Sequence, residues 1–374
     1  MAQTYDICIR GAGIVGRTLA LHLAAKRLRV ALCATPNSAS PSASDVRAYA
    51  LNQPARALLE AVRCWPAESQ ATPVQRMEVH GDDGATVVFD AADQDVAALN
   101  WIVDVPALEA QLAEAVRYQP LIELVDTPAP ATLTVVCEGR ASRTREELGV
   151  DFSITPYNQT AIAARVECAQ SHGQVARQWF HQGEILALLP LSGPGGNFCA
   201  VVWSVSAERA HTLQALPDME FSDTLHAASH GALGSLTLTS PRHTWPLQHA
   251  LASRWSGSHA SGPWVLAGDA AHNVHPLAGQ GLNLGLGDVA ELVRVLDGRP
   301  YWRSVADPKL LRAYERARKA DFALVGGAGD ALQQLFAHPH AAAQGLRNWG
   351  MHQFNTLGAV KHWVAQRAMG TRPQ

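Results

Sequence analysis

Two spacings of apolar positions run along the chain and divide it into strands and helices. Short apolar or alternating runs predict strands at Tyr5 to Ile9, Arg29 to Cys33, Thr132 to Cys137 and Trp264 to Leu266. Helical spacing predicts helices over Arg17 to Lys26, Gln53 to Val62 and Val105 to Arg117, the last with Leu108, Leu112 and Val116 on one face. Val74 to Asp90 alternates around Gly81-Asp82-Asp83-Gly84, which predicts a hairpin. A β-rich block from Thr155 to about Pro246 contains the runs Thr160 to Val166, Ile185 to Leu191 and Phe198 to Ser204. Pro36 to Ser44 is a Ser/Pro-rich loop, and Pro120, Pro128 and Pro130 favour a loop over strands in the short segment that follows Arg117.

Two glycine-bearing segments carry the chemistry. Gly11-Ala12-Gly13-Ile14-Val15-Gly16 lies between the first strand and the first helix, the context that gives G-x-G-x-x-G meaning. Gly11 allows the tight turn, Gly13 lets backbone approach a pyrophosphate, and Gly16 lets helix pack on strand. The helix N-terminus then offers partial positive charge to phosphates. A plain tight turn between strand and helix is the competing reading. The second segment follows the strand Trp264 to Leu266 and reads Ala267-Gly268-Asp269-Ala270-Ala271-His272, then His275-Pro276-Leu277-Ala278-Gly279-Gln280-Gly281-Leu282-Asn283-Leu284-Gly285. Asp269 stands just past the strand end, and bare backbone N–H groups follow in a glycine-rich turn. That layout surrounds a polar, electron-rich ligand; a simple helix N-cap is the alternative for Asp269.

Composition narrows the class. With 374 residues, two interleaved domains are expected rather than one core. The formal net charge of -3 argues against nucleic acid as a partner. The six cysteines (8, 33, 64, 137, 168 and 199) form no C-x-x-C pair and read as buried reduced thiols of a cytoplasmic protein. No basic-then-apolar leader opens the sequence, and no apolar run reaches membrane-spanning length. His272 with His275, and His338 with His340, lack the further ligands of a zinc site, so no metal is expected. A flavin neighbour explains His272 and His275 better.

Together the two segments resemble one family, the single-component FAD-dependent aromatic hydroxylases, and specifically its ubiquinone-biosynthesis branch. The branch pattern G-D-A-A-H-x-x-H-P-x-A-G-Q-G-x-N-x-G is matched in full from Gly268 to Gly285. Arg47 with Leu51, Tyr157, Gln159 and Ala161, Trp245-Pro246-Leu247, and Leu311, Tyr314, Arg318 and Asp321 also resemble family positions in chain order. The resemblance implies an α/β (α+β) fold with a Rossmann-like FAD-binding domain (1–73, 98–152 and 250–330). Interleaved with it would be a β-sheet substrate domain (74–97 and 153–249), with a C-terminal helical segment (331–374) after both. It implies FAD as cofactor, NADPH or NADH as transient co-substrate, and O2 as oxidant. The substrate implied is an aromatic, polyprenylated phenol or quinone precursor. In this reading Gly11, Gly13, Gly16 and Arg47 serve the nucleotide end and Asp269 the ribityl chain, while Pro276, Gly279, Gly281, Leu282 and Asn283 border the ring. No side chain is marked as a catalytic acid or base. A flavin hydroxylase of a soluble aromatic or secondary metabolite, and a non-catalytic flavoprotein-like subunit, both stay open.

Three positions depart from the family. The end of the second strand reads Val30-Ala31-Leu32-Cys33-Ala34-Thr35, without the acid that normally holds the adenosine ribose. Val105-Pro106 stands where the family's helix opens with a polar or cationic residue. Glu138-Gly139 replaces Asp-Gly, so that carboxylate is one methylene longer. From Ala331 to Gln374 there is no acid, and Thr356 to Met369 has amphipathic spacing. That basic face suits contact with an anionic inner membrane surface or a ubiquinone-biosynthesis complex, or equally an ordinary packed helix.

Overall fold

The computed structural model describes residues 5–34, 45–81, 84–274, 280–337 and 370. Among these, three sheets organise the chain. The first is built on Tyr5–Arg10, which pairs in parallel with Val30–Cys33 on one side and Ala131–Val136 on the other. Gly262–Leu266 extends it in parallel beyond Ala131–Val136. Val30–Cys33 is buried along its whole length, as a central parallel strand covered on both faces should be. The helices Ile14–Ala25, Val105–Arg117 and Gln280–Asp297 pack on this sheet through Leu19, Leu23, Leu108, Leu112, Val289 and Leu292. Two of the three predicted helices start at a capping side chain, and the first, Ile14–Ala25, starts at Gly13 without one. Asn52 accepts from the Ala55 N–H and Asp104 from the Ala107 N–H, and a proline follows each cap within the first turn.

One expectation is corrected here. Ile122–Val125 is a strand, paired in parallel with Val30–Cys33 at the sheet edge. The prolines that favoured a loop flank it: Pro120 lies before it and Pro128 and Pro130 after it, so no paired N–H is lost. The hairpin predicted around Gly81 forms from Arg76–His80 and Thr86–Asp90. It joins the second, larger sheet through Val175–His181.

The spine of that larger sheet is the 17-residue strand Phe152–Cys168. It pairs with Phe198–Ser206 on one side and His243–Ala252 on the other. Its register shifts between Pro156 and Thr160, which lets a proline sit in the middle of a long strand. Period two then sorts the residues. Ile162, Ala164, Val166, Leu186, Leu188, Val201 and Trp203 point one way, into a core with Phe221 and Leu225 of the helix Asp218–Ala228. Their neighbours Ala161, Ala163, Ala187, Val202 and Ser204 line a cavity on the other side.

The two sheets are tied together around that cavity. Arg165 from the spine pairs with Asp104 at 2.6 Å and donates through Nε to the Val46 carbonyl at 3.4 Å. The short strand His272–Asn273 adds to the larger sheet against Ala250 and Leu251. A three-stranded sheet, Ala48–Leu51, Asn100–Asp104 and Ala71–Val74, fills the space between. The long helix Pro308–Ala337 packs its first half against Gln280–Asp297.

Candidate functional site

A cavity of about 510 Å3 lies between the parallel sheet and the larger one. Gly13, Arg47, Asp269, Gly281 and Leu282 all line it, so two segments more than 200 residues apart in sequence meet at one opening. Pro276 and Gly279 lie outside the described residues.

The three N-terminal glycines have three separate physical reasons. Gly11 sits at φ +113°, and a Cβ there would stand 2.3 Å from the Cys137 carbonyl oxygen. At Gly16 a Cβ would meet the Gly11 carbonyl oxygen at 1.9 Å. At Gly13 it would meet nothing within 4 Å, so this backbone faces open space at a helix N-terminus. Two glycines make the turn close-packed and the third leaves it bare, which is what an approaching phosphate needs.

Asp269 is exposed and opens onto the cavity. Desolvation raises its pKa, opposed by the charges of His272 and Arg140. Nearby, Asn273 is buried and its Oδ1 has no partner among the described residues. The orphaned Asn273 acceptor and the accessible Asp269 carboxyl stand at one opening, where a ligand rich in hydroxyl and N–H donors can bond to both. The residues present therefore fit a flavin dinucleotide.

The turn that carries Asp269 is held from behind. Asp288 is fully buried and accepts from the Gly268 N–H at 2.8 Å, from His272 Nε2 at 2.7 Å and from Arg318 Nε at 2.7 Å. Arg145 adds a second tie, donating to the Ala270 carbonyl at 3.1 Å while its guanidinium lies over Phe152. Tyr314 donates to the Leu266 carbonyl at 2.9 Å. His272 was expected beside the flavin. It is instead 2% exposed, packed between Trp255 and Phe322, with its ring bonded to Asp288. Its neighbours on that side are apolar rings and a buried acid, so its position in the motif reflects support of the loop.

Burial alone would raise the pKa of Asp288, but His272 and Arg318 outweigh it and hold it below the ordinary aspartate value. Glu138 is likewise lowered: its burial is outweighed by bonds from Thr144 and Ser142 and by the charge of Arg10. Groups with depressed folded pKa values stabilise above their unfolded values, about 3.9 for Asp and 4.3 for Glu, and lose that stabilisation as pH falls through the lower folded values. Melting temperature measured against pH should therefore fall steeply below about pH 4. A flat profile there counts against both networks.

Arg47 lines the cavity but is already engaged. Its Nε and Nη2 bond Asp45, and Nη2 lies 3.5 Å from Glu109. The Asp45 carboxylate holds it firmly protonated against its own burial. Asn283 uses its side chain to clamp the neighbouring strand, accepting from the Asn52 N–H at 3.0 Å and donating to the Ala50 carbonyl at 2.8 Å. Glu138, the longer carboxylate, is consumed internally by Arg10, Ser142 and Thr144. At the end of the second strand, Cys33 and Ala34 offer no acid. Val105 is wholly buried, so nothing cationic opens that helix. Tyr49, Glu109, Arg140, Gln178 and Ser204 line the cavity and were not marked from sequence. They stand on strands and helices whose alternation was legible, but which face met the cavity required knowing how the two sheets oppose.

A glycine turn opening a helix at the end of a parallel strand, a second glycine segment presenting an acid beside it, and a β-sheet roof over both define a flavin-dependent monooxygenase. The sequence profile of the FAD binding domain family matches residues 125–325, more than half of the chain, and the chain belongs to that family. It is 29% identical to the ubiquinone hydroxylase of Rhodospirillum rubrum, over 98% of this chain and 90% of that protein. It is 28% identical to the 3-demethoxyubiquinol 3-hydroxylase of Escherichia coli, over 98% of this chain and 99% of that one. In fold it matches the p-nitrophenol 4-monooxygenase PnpA of Pseudomonas putida with a TM-score of 0.80 at 17% identity, covering 100% of both chains. Pseudomonas aeruginosa PqsL matches with a TM-score of 0.76 at 20% identity, over 94% of this chain and 100% of that one. The resemblance to the ubiquinone-branch aromatic hydroxylases is borne out, and the protein is an FAD-dependent enzyme of that class.

Proposed function

We propose that this enzyme hydroxylates the ring of a polyprenylated phenol or quinol precursor of ubiquinone, with NADPH or NADH as reductant and O2 as oxidant. The observation that carries this reading is that Gly13, Asp269 and Gly281 share one cavity with the face of a β-sheet that carries Ala161, Ala163, Ala187 and Val202. The names of the two relatives above support the substrate class. FAD, when bound, accepts two electrons from the nicotinamide and activates O2, so that one oxygen atom enters a ring C–H bond and the other leaves as water.

The chain's own residues do the rest. In this proposal Gly11, Gly13 and Gly16 shape the pyrophosphate turn, and Asp269 accepts from the ribityl hydroxyls. Backbone at Gly279, Gly281, Leu282 and Asn283 serves the ring edge, and Pro276 borders the reacting face. Arg47 serves the phosphate or ring edge once its bonds to Asp45 are shared. The sheet over the cavity positions the substrate and keeps water out, which limits leakage of reducing equivalents to peroxide. Residues 1–73, 98–152 and 250–330 would form the cofactor domain, and 74–97 and 153–249 the substrate domain. The basic segment 331–374 would contact a membrane surface or partner enzymes. Among the described residues no helix is long and apolar enough to cross a membrane.

The test is direct. Purified protein loaded with FAD should oxidise NAD(P)H faster when a short-chain prenyl phenol is present, with one hydroxyl added per turnover by mass spectrometry. Oxidation that yields only peroxide, whatever the ring supplied, overturns the reading. The missing ribose acid has its own consequence. One hydrogen bond to a charged group contributes roughly 1.5–3 kcal/mol, so affinity for FAD should be on the order of 10- to 100-fold weaker than with the acid present. Extensive dialysis should strip much of the flavin, and full retention would show that other contacts have replaced that bond.

A further inference from the structure

We propose that Gln178 and Ser204 bind the oxygen substituents of a neutral aromatic ring and so select the substrate; this rests on the flavin-hydroxylase reading above. Both line the cavity, on strands Val175–His181 and Phe198–Ser206. Gln178 is 8% exposed and Ser204 3%. Neither side chain makes a hydrogen bond among the described residues, and each keeps its polar atoms open to the cavity, where a ligand can reach them.

The register gives their spacing. Gln178 stands opposite Ala187, Ala187 opposite Val202, and Val202 opposite Ala163. Ser204 lies one row further along, opposite Ile185 and Ala161. The two polar residues are therefore two strands and two residues apart, about 12 Å between backbones from ordinary strand spacing and rise. Ala187 and Ile185 on the strand between them, with Val202 beside Ser204, make an apolar floor. A glutamine reaching in from one side and a hydroxyl from the other leave room for one ring lying on that floor, with oxygens toward both ends.

Charge decides which ring. Each cation that lines the cavity has an acid beside it: Arg177 is paired with Glu78 at 3.1 Å and Arg47 with Asp45, while Arg140 donates to the Pro246 carbonyl at 3.2 Å and its charge acts on Asp269. The acids Asp269 and Glu109 face the same space. A carboxylate on the ring would meet an amide, a hydroxyl and arginines whose charge is already shared with acids, with its desolvation poorly offset. A neutral phenol, quinol or methoxy-substituted ring loses nothing and satisfies both side chains.

FAD-loaded wild type, Gln178→Leu and Ser204→Ala would be titrated with 2-methoxyphenol as the neutral ring and 4-hydroxybenzoate as a carboxylated one. Ring binding is read by the change in bound-flavin absorbance and independently by calorimetry. Gln178→Leu, which keeps the volume, should weaken 2-methoxyphenol about 10-fold and Ser204→Ala by a smaller factor, with flavin content and melting temperature unchanged. Wild type should prefer the neutral ring. Equal binding of 2-methoxyphenol by wild type and Gln178→Leu, or preference of the wild type for 4-hydroxybenzoate, overturns this assignment while leaving the flavin chemistry standing. A chain that takes up no FAD overturns both.

Discussion

Asp288→Ala should lose its bound FAD and melt well below the wild type, although residue 288 lines no part of the cavity. The carboxylate is fully buried and accepts three bonds, from the Gly268 N–H, His272 and Arg318. Removing it strands a buried imidazole and a buried amide and takes from Arg318 its buried counter-ion, leaving that guanidinium only Asp321 at 2.7 Å and the Leu284 carbonyl at 3.2 Å. Breaking a buried ion pair by deleting one partner costs about 3–5 kcal/mol, mostly because the remaining charge is left uncompensated. The loss falls on the turn that presents Asp269, so cofactor affinity should drop with stability. Asp288→Asn separates the two effects: it keeps the volume and one acceptor, and should recover part of the melting temperature but less of the flavin. Thermal melts with and without excess FAD, beside the visible spectrum, read both quantities. An alanine variant with wild-type midpoint and full flavin absorbance would mean that the turn holds its shape without this anchor.

The anchor also marks where sequence reading ran out. The Gly268 to Gly285 motif announced a flavin loop, and the strand before it and helix after it were visible as apolar runs. What keeps the loop in place is a set of residues whose roles come only from contact across the fold: Asp288 within a helix, Arg318 in the next one, and Arg145 shortly after Glu138-Gly139. A lone aspartate in an amphipathic helix looks like a solvated residue until its neighbours are known. His272 was misjudged for the same reason, since its place inside the motif says nothing about which way its ring turns. The edge strand Ile122–Val125 is hidden in the sequence by its prolines, which favour a loop as breakers but in the structure bracket the strand. Alternation along Phe152–Cys168 and its partners was plain, yet it could not tell the face packed on helices from the face that roofs the cavity. Gln178 and Ser204 follow from that second distinction alone.

Gly13→Ala should leave the fold intact and cost the enzyme its cofactor, whereas Gly11→Ala and Gly16→Ala should damage both. At Gly16 an added methyl would lie 1.9 Å from the Gly11 carbonyl oxygen, and at Gly11 one would lie 2.3 Å from the Cys137 carbonyl oxygen. Both obstacles are backbone and cannot turn aside as a side chain would. Gly11 also holds φ at +113°, which an alanine adopts only with strain. Overpacking of this kind costs roughly 1–3 kcal/mol or more, and the strand, turn and helix must all move to relieve it. Gly13 has nothing within 4 Å of its Cβ position. A methyl group there touches no part of the protein, and the poorer N-cap that alanine makes costs on the order of 1 kcal/mol, too little to unfold the chain. The space it enters is the one a pyrophosphate needs in order to reach the first N–H groups of Ile14–Ala25. Losing one such bond to a charged oxygen should weaken FAD on the order of 10- to 100-fold. Fluorescence titration of FAD beside thermal melts of the cofactor-free proteins separates the three variants. Were Gly13→Ala to bind FAD as tightly as the wild type, the pyrophosphate would have to lie elsewhere, and the reading of the N-terminal turn as a dinucleotide site would fail even though the protein remains a flavoenzyme by family.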